Sequence, residues 1–439
     1  MDTPAAGPGP GRSRNARVAT TVLALGTVSL ITDISSEMVT AILPLYLMLT
    51  LHLGPLGYGV IDGLYTGATA LLRLVGGYVA DRVRRRKAVA ATGYTVSALA
   101  KLALLAAGSS VPLLSAVIVA DRAGKGLRTA PRDALITLST PPNHLGRAFG
   151  VHRAMDSAGA FAGPLAAVAV LGASAHSFDA VFVTSFGIAA LGVFVLATYV
   201  PDHRGPAWPT PPPSPPPPPP ASAPGKTPPG STTGPDQPAT ARVSIRAAAA
   251  LLARRECRLV VLAAAVMGLA TIGDGFVYLL LQRHHRLAAG WFPLLAVGTN
   301  LVYLLLAVPL GHLADRVGRV RVYVSGFAAL AAVYVTLGTG GTGTGALVVT
   351  VALYGTFYAA TDGVLMALAG PLLPEALRTT GIALVQSGQS IAYLGSSILF
   401  GLAWQLWGPE PALLTAAATA VLALLLVTSI FRTGTTKNA

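Results

Sequence analysis

Asp33 and Glu37 stand four residues apart in an otherwise apolar stretch, TDISSEMVTAILPLYL, and this spacing puts both carboxyls on one face of a helix. Paired carboxyls in apolar surroundings can take up and release protons. Burial favours the neutral acid, and a nearby cation favours the anion. A second constellation lies in DRAGKGLRTAPRDALI. Lys125, Arg128 and Arg132 are spaced by three and four, which makes a basic stripe, and Arg122 adds to it one turn earlier. Such a stripe has two uses. It can attract an anionic or phosphate-bearing ligand, since a guanidinium fork matches both groups. It can instead be neutralised internally by Asp33, Glu37, Asp62 or Asp156. Internal pairing is expected of Arg132 and Arg153, and a functional role of Arg122 and Lys125.

The elements that carry these charges are set by composition. The 439 residues are 53% hydrophobic and 11% charged, against about 25% charged in a soluble domain. Mean hydropathy is +0.63. These values exclude an ordinary soluble enzyme. A membrane-spanning helix needs about 20 mainly apolar residues. Candidate spans run over 18–50, 57–80, 88–108, 112–134, 147–171 and 179–200, then 258–282, 290–313, 321–338, 345–370, 380–404 and 411–431. The expected class is therefore all-α transmembrane, with about twelve helices in two pseudo-symmetric six-helix bundles. Pro131 is expected to bend or end span 4.

At membrane depth each charge costs roughly 2.5–3.5 kcal/mol, so it faces a cavity or a partner. Span 2 adds Asp62 and Arg73, span 3 Lys101, span 4 Asp121 and Asp133, span 5 Arg153 and Asp156, span 7 Asp274 and span 10 Asp362. Asp62 is as well placed to pair with Arg73 as to couple protons. Gln386, Gln389, Asn300, Tyr278, Tyr303 and Tyr358 are weaker candidates, since packing and interhelical hydrogen bonds explain such residues equally well.

PTPPPSPPPPPPASAP and the Gly/Thr/Pro run after it cannot pack a core, and they divide the chain. The expected organisation is an N-terminal tail (1–17), a six-helix bundle (18–200), a Pro-rich linker (201–257), a second bundle (258–431) and a C-terminal tail (432–439). Arg12, Arg14, Arg17, Arg82, Arg84–Arg86, Lys87, Arg242, Arg246, Arg254, Arg255, Arg258, Arg316, Arg319 and Arg321 all fall on one side of this topology. That side is expected to be cytoplasmic, with both termini there. The net charge of +14 is thereby assigned to topology and needs no nucleic acid. Adjacent His284 and His285 have no third ligand at a suitable spacing, so no metal site is expected. No cofactor is expected either: Gly225-Lys226-Thr227 lacks the earlier glycine of a phosphate loop.

One phrase occurs twice, at the same place in each half. Gly77-x-x-x-Asp81-Arg82 runs on through Arg85 and Arg86, and Gly311-x-x-x-Asp315-Arg316 runs on to Arg319. The pair resembles the loop 2–3 signature of the major facilitator superfamily and its second-half echo, with Arg84 where the family has Gly. The phrases in spans 1, 4 and 5 are similar to a prokaryotic drug- or metabolite-exporter-like subgroup. Gly159-x-x-x-Gly163-Pro164 resembles the span-5 signature of antiporters, with Ala166 and Ala167 in place of its trailing glycines.

The resemblance implies a central cavity lined by spans 1, 4, 7 and 10. It makes Asp33, Glu37, Asp274 and Asp362 the proton-coupling candidates, and Arg122, Lys125, Arg128, Asp62, Arg153 and Asp156 the candidates for the substrate cavity. Gly77, Asp81, Arg82, Arg85, Arg86, Gly311, Asp315, Arg316 and Arg319 become a gating latch that pairs across the halves in one state. The expected function is proton-coupled export of a small organic molecule by alternating access, from a monomer in the plasma membrane. Import of an organic anion is the first alternative, and a transport-dead scaffold or sensor the second. No nucleophile–base constellation marks an enzyme.

Overall fold

The computed structural model describes residues 20–83, 85–140, 145–201, 253–340, 343–369 and 378–435. The apolar stretches become helices: α1 (Thr20–Leu45), α2 (Pro55–Val83), α3 (Arg86–Ala106), α4 (Val111–Leu138), α5 (Leu145–Ala173), α6 (Phe178–Tyr199), α7 (Arg255–Leu269), α8 (Asp274–His285), α9 (Pro293–Val317), α10 (Arg319–Gly338), α11 (Thr344–Ala369), α12 (Arg378–Trp407) and α13 (Pro409–Thr435). No strand occurs among the described residues. Together α7 and α8 make the seventh span, so the described residues hold twelve spans where about twelve were expected.

Nine helical stretches among the described residues are apolar enough to cross a membrane on composition alone. The three spans outside that set are α2, α4 and α12. They carry the charges and hydroxyls, and they pack inside the bundle. Exposed Leu304, Leu305 and Val308 on α9 and Leu422 and Leu425 on α13 give the outer surface the apolar character a bilayer needs. The chain is a multi-pass membrane protein.

Helix packing repeats between the halves. In the first, α1 packs on α5 and α6, α2 on α4, and α3 on α4 and α6. In the second, α7 packs on α12 and α13, α9 on α11, and α10 on α11 and α13. Each pairing recurs six spans later, as a duplicated unit requires. The halves meet through α2 on α12 and α5 on α9.

Two helices depart from expectation. Of the two outcomes expected at Pro131, a bend or an end, the end does not occur: helix α4 runs on to Leu138, past the expected limit of 134. Fully buried Leu135 and Ile136, which pack with Val22, Leu25 and Tyr94, hold the extra turns against the cost of the proline. The seventh span is not continuous. It stops at Leu269 and restarts at Asp274, across Ala270, Thr271, Ile272 and Gly273. A break at membrane depth strands backbone groups, and Tyr334 of α10 takes them up. The Ile272 N–H donates to Tyr334 Oη at 2.9 Å, and that hydroxyl donates to the Ala270 carbonyl at 3.3 Å. Tyr334→Phe leaves a buried N–H without an acceptor, which costs about 1–3 kcal/mol. We expect a lower unfolding midpoint in detergent than for wild type. An unchanged midpoint would mean that the break is satisfied another way.

Arg255 starts α7 inside the range expected to be linker, and α13 continues to Thr435. Both tails beyond residues 20 and 435, and 202–252 of the linker, lie outside the described residues.

Candidate functional site

A cavity of about 890 Å³, mouth included, lies between the halves. Its lining brings together Glu37 and Thr40 of α1, Tyr58, Asp62 and Tyr65 of α2, Pro164 of α5, Asp274 and Tyr278 of α8, Asn300 of α9 and Tyr393 of α12. The described lining therefore comes from spans 1, 2, 5, 7, 8 and 11; it shares spans 1 and 7 with the expected set and has 2, 5, 8 and 11 in place of 4 and 10. The reason is the approach of α2 to α12. A Cβ on Gly63 would sit 2.9 Å from the Leu394 carbonyl oxygen, one on Gly59 would run into the Ser397 carbonyl, and one on Gly401 would run into that of Pro55. Glycines let the two helices touch backbone to backbone and seal one end of the cavity. Rings from both halves thicken the seal: Phe276 meets Tyr58 at 4.7 Å, Phe400 at 4.9 Å and Trp404 at 5.6 Å between centroids. Tyr58, Phe400 and Trp404 belong to the ends of α2 and α12 away from the basic loops, and Phe276 to the first turn of α8.

Hydroxyls hold the two innermost carboxylates. Asp62 accepts from Ser397 Oγ at 2.7 Å, from Tyr393 Oη at 3.3 Å and from Tyr58 Oη at 3.3 Å. Two of those donors are on the other half, so Asp62 ties α2 to α12. Asp274 accepts from Tyr354 Oη at 2.6 Å and from Tyr358 Oη, both on α11. As the first residue of α8, it also lies at the positive end of that helix dipole. A Cβ on Gly273 would collide with the Asp62 carboxylate and push it aside, so glycine there leaves Asp62 its place at the break in span 7.

Glu37 owes its position to the span-5 motif. A Cβ on Gly163 would lie 2.6 Å from Glu37 Cβ, and one on Gly159 would lie 2.6 Å from the Leu30 carbonyl and 3.2 Å from Asp33 Cβ. The two glycines thus let α5 press on α1 at its two acids, and Pro164 reaches the cavity wall.

The basic stripe does not line the cavity among its described residues. It is taken up within the first half. Arg122 binds Asp121 through Nε at 3.0 Å and through Nη2, and its guanidinium lies 3.7 Å from the centre of the Tyr65 ring. Ser97 Oγ donates to Asp121 at 2.5 Å, and Lys101 Nζ lies 3.9 Å from that carboxylate. Arg128 pairs with Asp33 at 3.5 Å and covers the Tyr94 ring at 4.6 Å. Arg132 binds Asp133 at 3.0 Å, Ser29 at 3.2 Å and Asp156 at 3.7 Å. Exposed Arg153 joins Asp156 at 3.8 Å. Lys125 has Glu37 and Asp33 as its acidic neighbours. Tyr65 links the two regions: its hydroxyl bonds Thr40 at 2.6 Å, and its ring separates Arg122 from the cavity.

Asp362 is exposed and accepts from Tyr303 Oη at 3.2 Å, apart from the cavity lining. In the latch, the backbone of Gly77, Asp81 and Arg82 continues α2, and the side chains there lie outside the described residues, as does that of Arg73. Arg85 is exposed and Arg86 half-buried. Gly311 lies within α9, Arg316 is exposed, and Asp315 pairs with Arg319 at 3.2 Å. Between them Gly318 has φ +108°, a conformation that favours glycine; its counterpart Arg84 lies outside the described residues.

The comparisons decide the family. The family model described as the Major Facilitator Superfamily matches residues 25–298 and 260–439. The chain belongs to the major facilitator superfamily. It is 30% identical over 419 residues to the "Uncharacterized MFS-type transporter MJ1317" of Methanocaldococcus jannaschii, covering 92% of this chain and 94% of that protein. A Mycobacterium tuberculosis protein, Rv2265, is 32% identical over 157 residues, 36% of this chain and 38% of its own length. Among solved structures, the nucleoside transporter NupG superposes with a TM-score of 0.74 at 14% identity, over 94% of this chain and 99% of that one. A bacterial homologue of the lysosomal transporter Spinster superposes with a TM-score of 0.66 at 14% identity, over 93% of this chain and 94% of that one. At such identities the solved structures show the superfamily fold alone. The chain is a membrane transporter of the superfamily kind.

Tyr65, Tyr393, Ser397 and Tyr354 were not singled out from the sequence. Tyrosines and serines are common in apolar helices, and nothing in their spacing marks them. Only GLATIGDG, with three glycines around Asp274, signals an interruption.

Proposed function

We propose that this protein expels a small organic molecule in exchange for protons, by alternating access to the central cavity. One observation carries the reading: three carboxyls from both halves, Glu37, Asp62 and Asp274, line one cavity whose end is sealed by contacts between the halves. Rocking the halves apart exposes those carboxyls to the other side, and proton release and uptake follow the change in hydration. Glu37 is the coupling residue the reading favours, since α5 presses on it and Lys125 neighbours it. The motif glycines 159 and 163, similar to those of antiporters, support exchange over symport. The doubled loop phrase acts as the latch on the basic face, which is the cytoplasmic one. The protein works as a monomer in the plasma membrane, with both termini inside.

The test is cellular accumulation of a panel of cationic, anionic and neutral compounds with wild type, Glu37→Gln or empty vector. Wild type is expected to lower accumulation of at least one compound. A proton ionophore and Glu37→Gln are each expected to abolish that effect, with the variant still present in the membrane. Raised accumulation with wild type would replace export by import.

A further inference from the structure

We propose that the cavity takes a monovalent organic cation, its charge between Asp62 and Asp274 and its apolar body against the cavity tyrosines. The inference rests on the central cavity being the transport site, and it names the class of substrate.

Among the described residues, the cations buried in the first half face acids of that half: Arg122 and Lys101 pair with Asp121, Arg128 with Asp33, and Arg132 with Asp133 and Asp156, while Lys125 has Asp33 and Glu37 as its acidic neighbours. Asp62 and Asp274 are different. Their oxygens are held by hydroxyls, and the charged neighbour of Asp62 is Asp274, of its own sign. Two like charges facing one cavity repel each other; a proton on one of them relieves the repulsion, and a ligand cation seated between them can take that proton's place.

The size and surface of the cavity say which cation. About 210 Å³ of the cavity is open to the centres of water-sized molecules, which is still far more than a bare ion fills. No group of three or more His, Cys, Asp or Glu that could hold a metal occurs among the described residues. Tyr58, Tyr65, Tyr278 and Tyr393 supply aromatic surface, whose faces attract cations. An organic cation with apolar substituents uses both features, and an organic anion would meet three carboxyls and no Lys or Arg in the described lining.

The two acids also belong to different halves. Asp62 is on α2 and Asp274 opens α8, and Gly273 lets them approach. A cation seated between them is held by both halves at once. Parting α2 from α12 and α8 would split the pair, so the same ligand binds the two states of the transporter unequally. Such unequal binding is what lets a ligand drive a conformational change.

The experiment uses the full chain purified in detergent and two probes of the same shape and opposite charge, measured separately by equilibrium dialysis: tetraphenylphosphonium and tetraphenylborate. Tetraphenylphosphonium is expected to bind saturably. Asp274→Asn and Asp62→Asn, each eluting as monodisperse protein, are each expected to weaken it by at least tenfold, and tetraphenylborate is expected to show only micelle partitioning. Gly273→Ala, which alters no charge but displaces Asp62, is expected to weaken binding as well. Tighter binding of tetraphenylborate, or equal binding of tetraphenylphosphonium by wild type and both Asn variants, would overturn the proposal. If neither probe binds while wild type still expels a compound down to ionophore-sensitive levels, the cation class is wrong and the transport reading stands. Asp274-dependent binding without gradient-driven expulsion would keep the cation site and remove the transport reading.

Discussion

Replacing Asp121 with Ala is expected to cost roughly 3–5 kcal/mol of stability, the usual result of stranding buried charges by removing their partner. Asp121 serves two cations, Arg122 and Lys101, whose side chains are 4% and 5% exposed. Neither has water to turn to, and Ser97 loses its acceptor as well. The Arg122 guanidinium is also the group stacked on Tyr65, so its displacement moves a wall of the cavity. The variant should be recovered poorly and should unfold well below wild type in a detergent melt. The triple variant Lys101→Met, Asp121→Leu, Arg122→Met removes the charges together and should be markedly less destabilised than Asp121→Ala, because buried pairs contribute little net stability against apolar packing. An Asp121→Ala protein within about 1 kcal/mol of wild type would show that water reaches this cluster.

Gly59→Leu and Gly63→Leu are each expected to reduce transport more than tenfold while leaving the helix intact. Leucine is a better helix former than glycine, so α2 itself gains. What fails is the approach of α2 to α12. The new side chain at 63 would press on the Leu394 backbone, and the one at 59 on that of Ser397; backbone cannot rotate away as a side chain can. Asp62, between these positions, would lose Ser397 and Tyr393 as donors. The sealed end of the cavity should then stay open. Asn300→Cys provides the readout, since it lines the cavity. With Cys257 replaced by Ser to remove the one native cysteine, a membrane-impermeant maleimide added on the face opposite the basic loops should label it much faster in the leucine variants than in the parent. Normal transport by both variants would mean that closure of α2 on α12 is not a step of the cycle.

The number of spans and their order were legible in the sequence, because crossing a bilayer demands long apolar runs and those runs are local. Even so, α2, α4 and α12 are too polar to be recognised as securely as the rest, since their polar groups are satisfied by other helices. The break at Ala270–Gly273 was hidden for a related reason: a 25-residue apolar run reads as one helix unless the residue that rescues its backbone, here Tyr334, is known to lie beside it. Of the ionisable residues picked from the sequence, Glu37, Asp62 and Asp274 reach the cavity. Arg122, Lys125 and Arg128, chosen by the same rule of depth, sit among acids of their own half.

By itself, then, the sequence determined that this is a duplicated, helical membrane protein, that one face is basic, and that its membrane-depth charges must be shielded from lipid. Each follows from the cost of placing a residue in hydrocarbon, which depends on residue type and little on neighbours. Only the tertiary structure decided how those charges are shielded. Two carboxylates four residues apart on α1 have different fates, Asp33 with Arg128 and Glu37 at the cavity wall. Partners far along the chain make that division: Arg128 is 95 residues from Asp33, and in the same way Asp62 is held by Ser397 from 335 residues away. A hydrogen bond acts over about 3 Å, so which hydroxyl or guanidinium comes within that reach is set by helix packing across the whole chain.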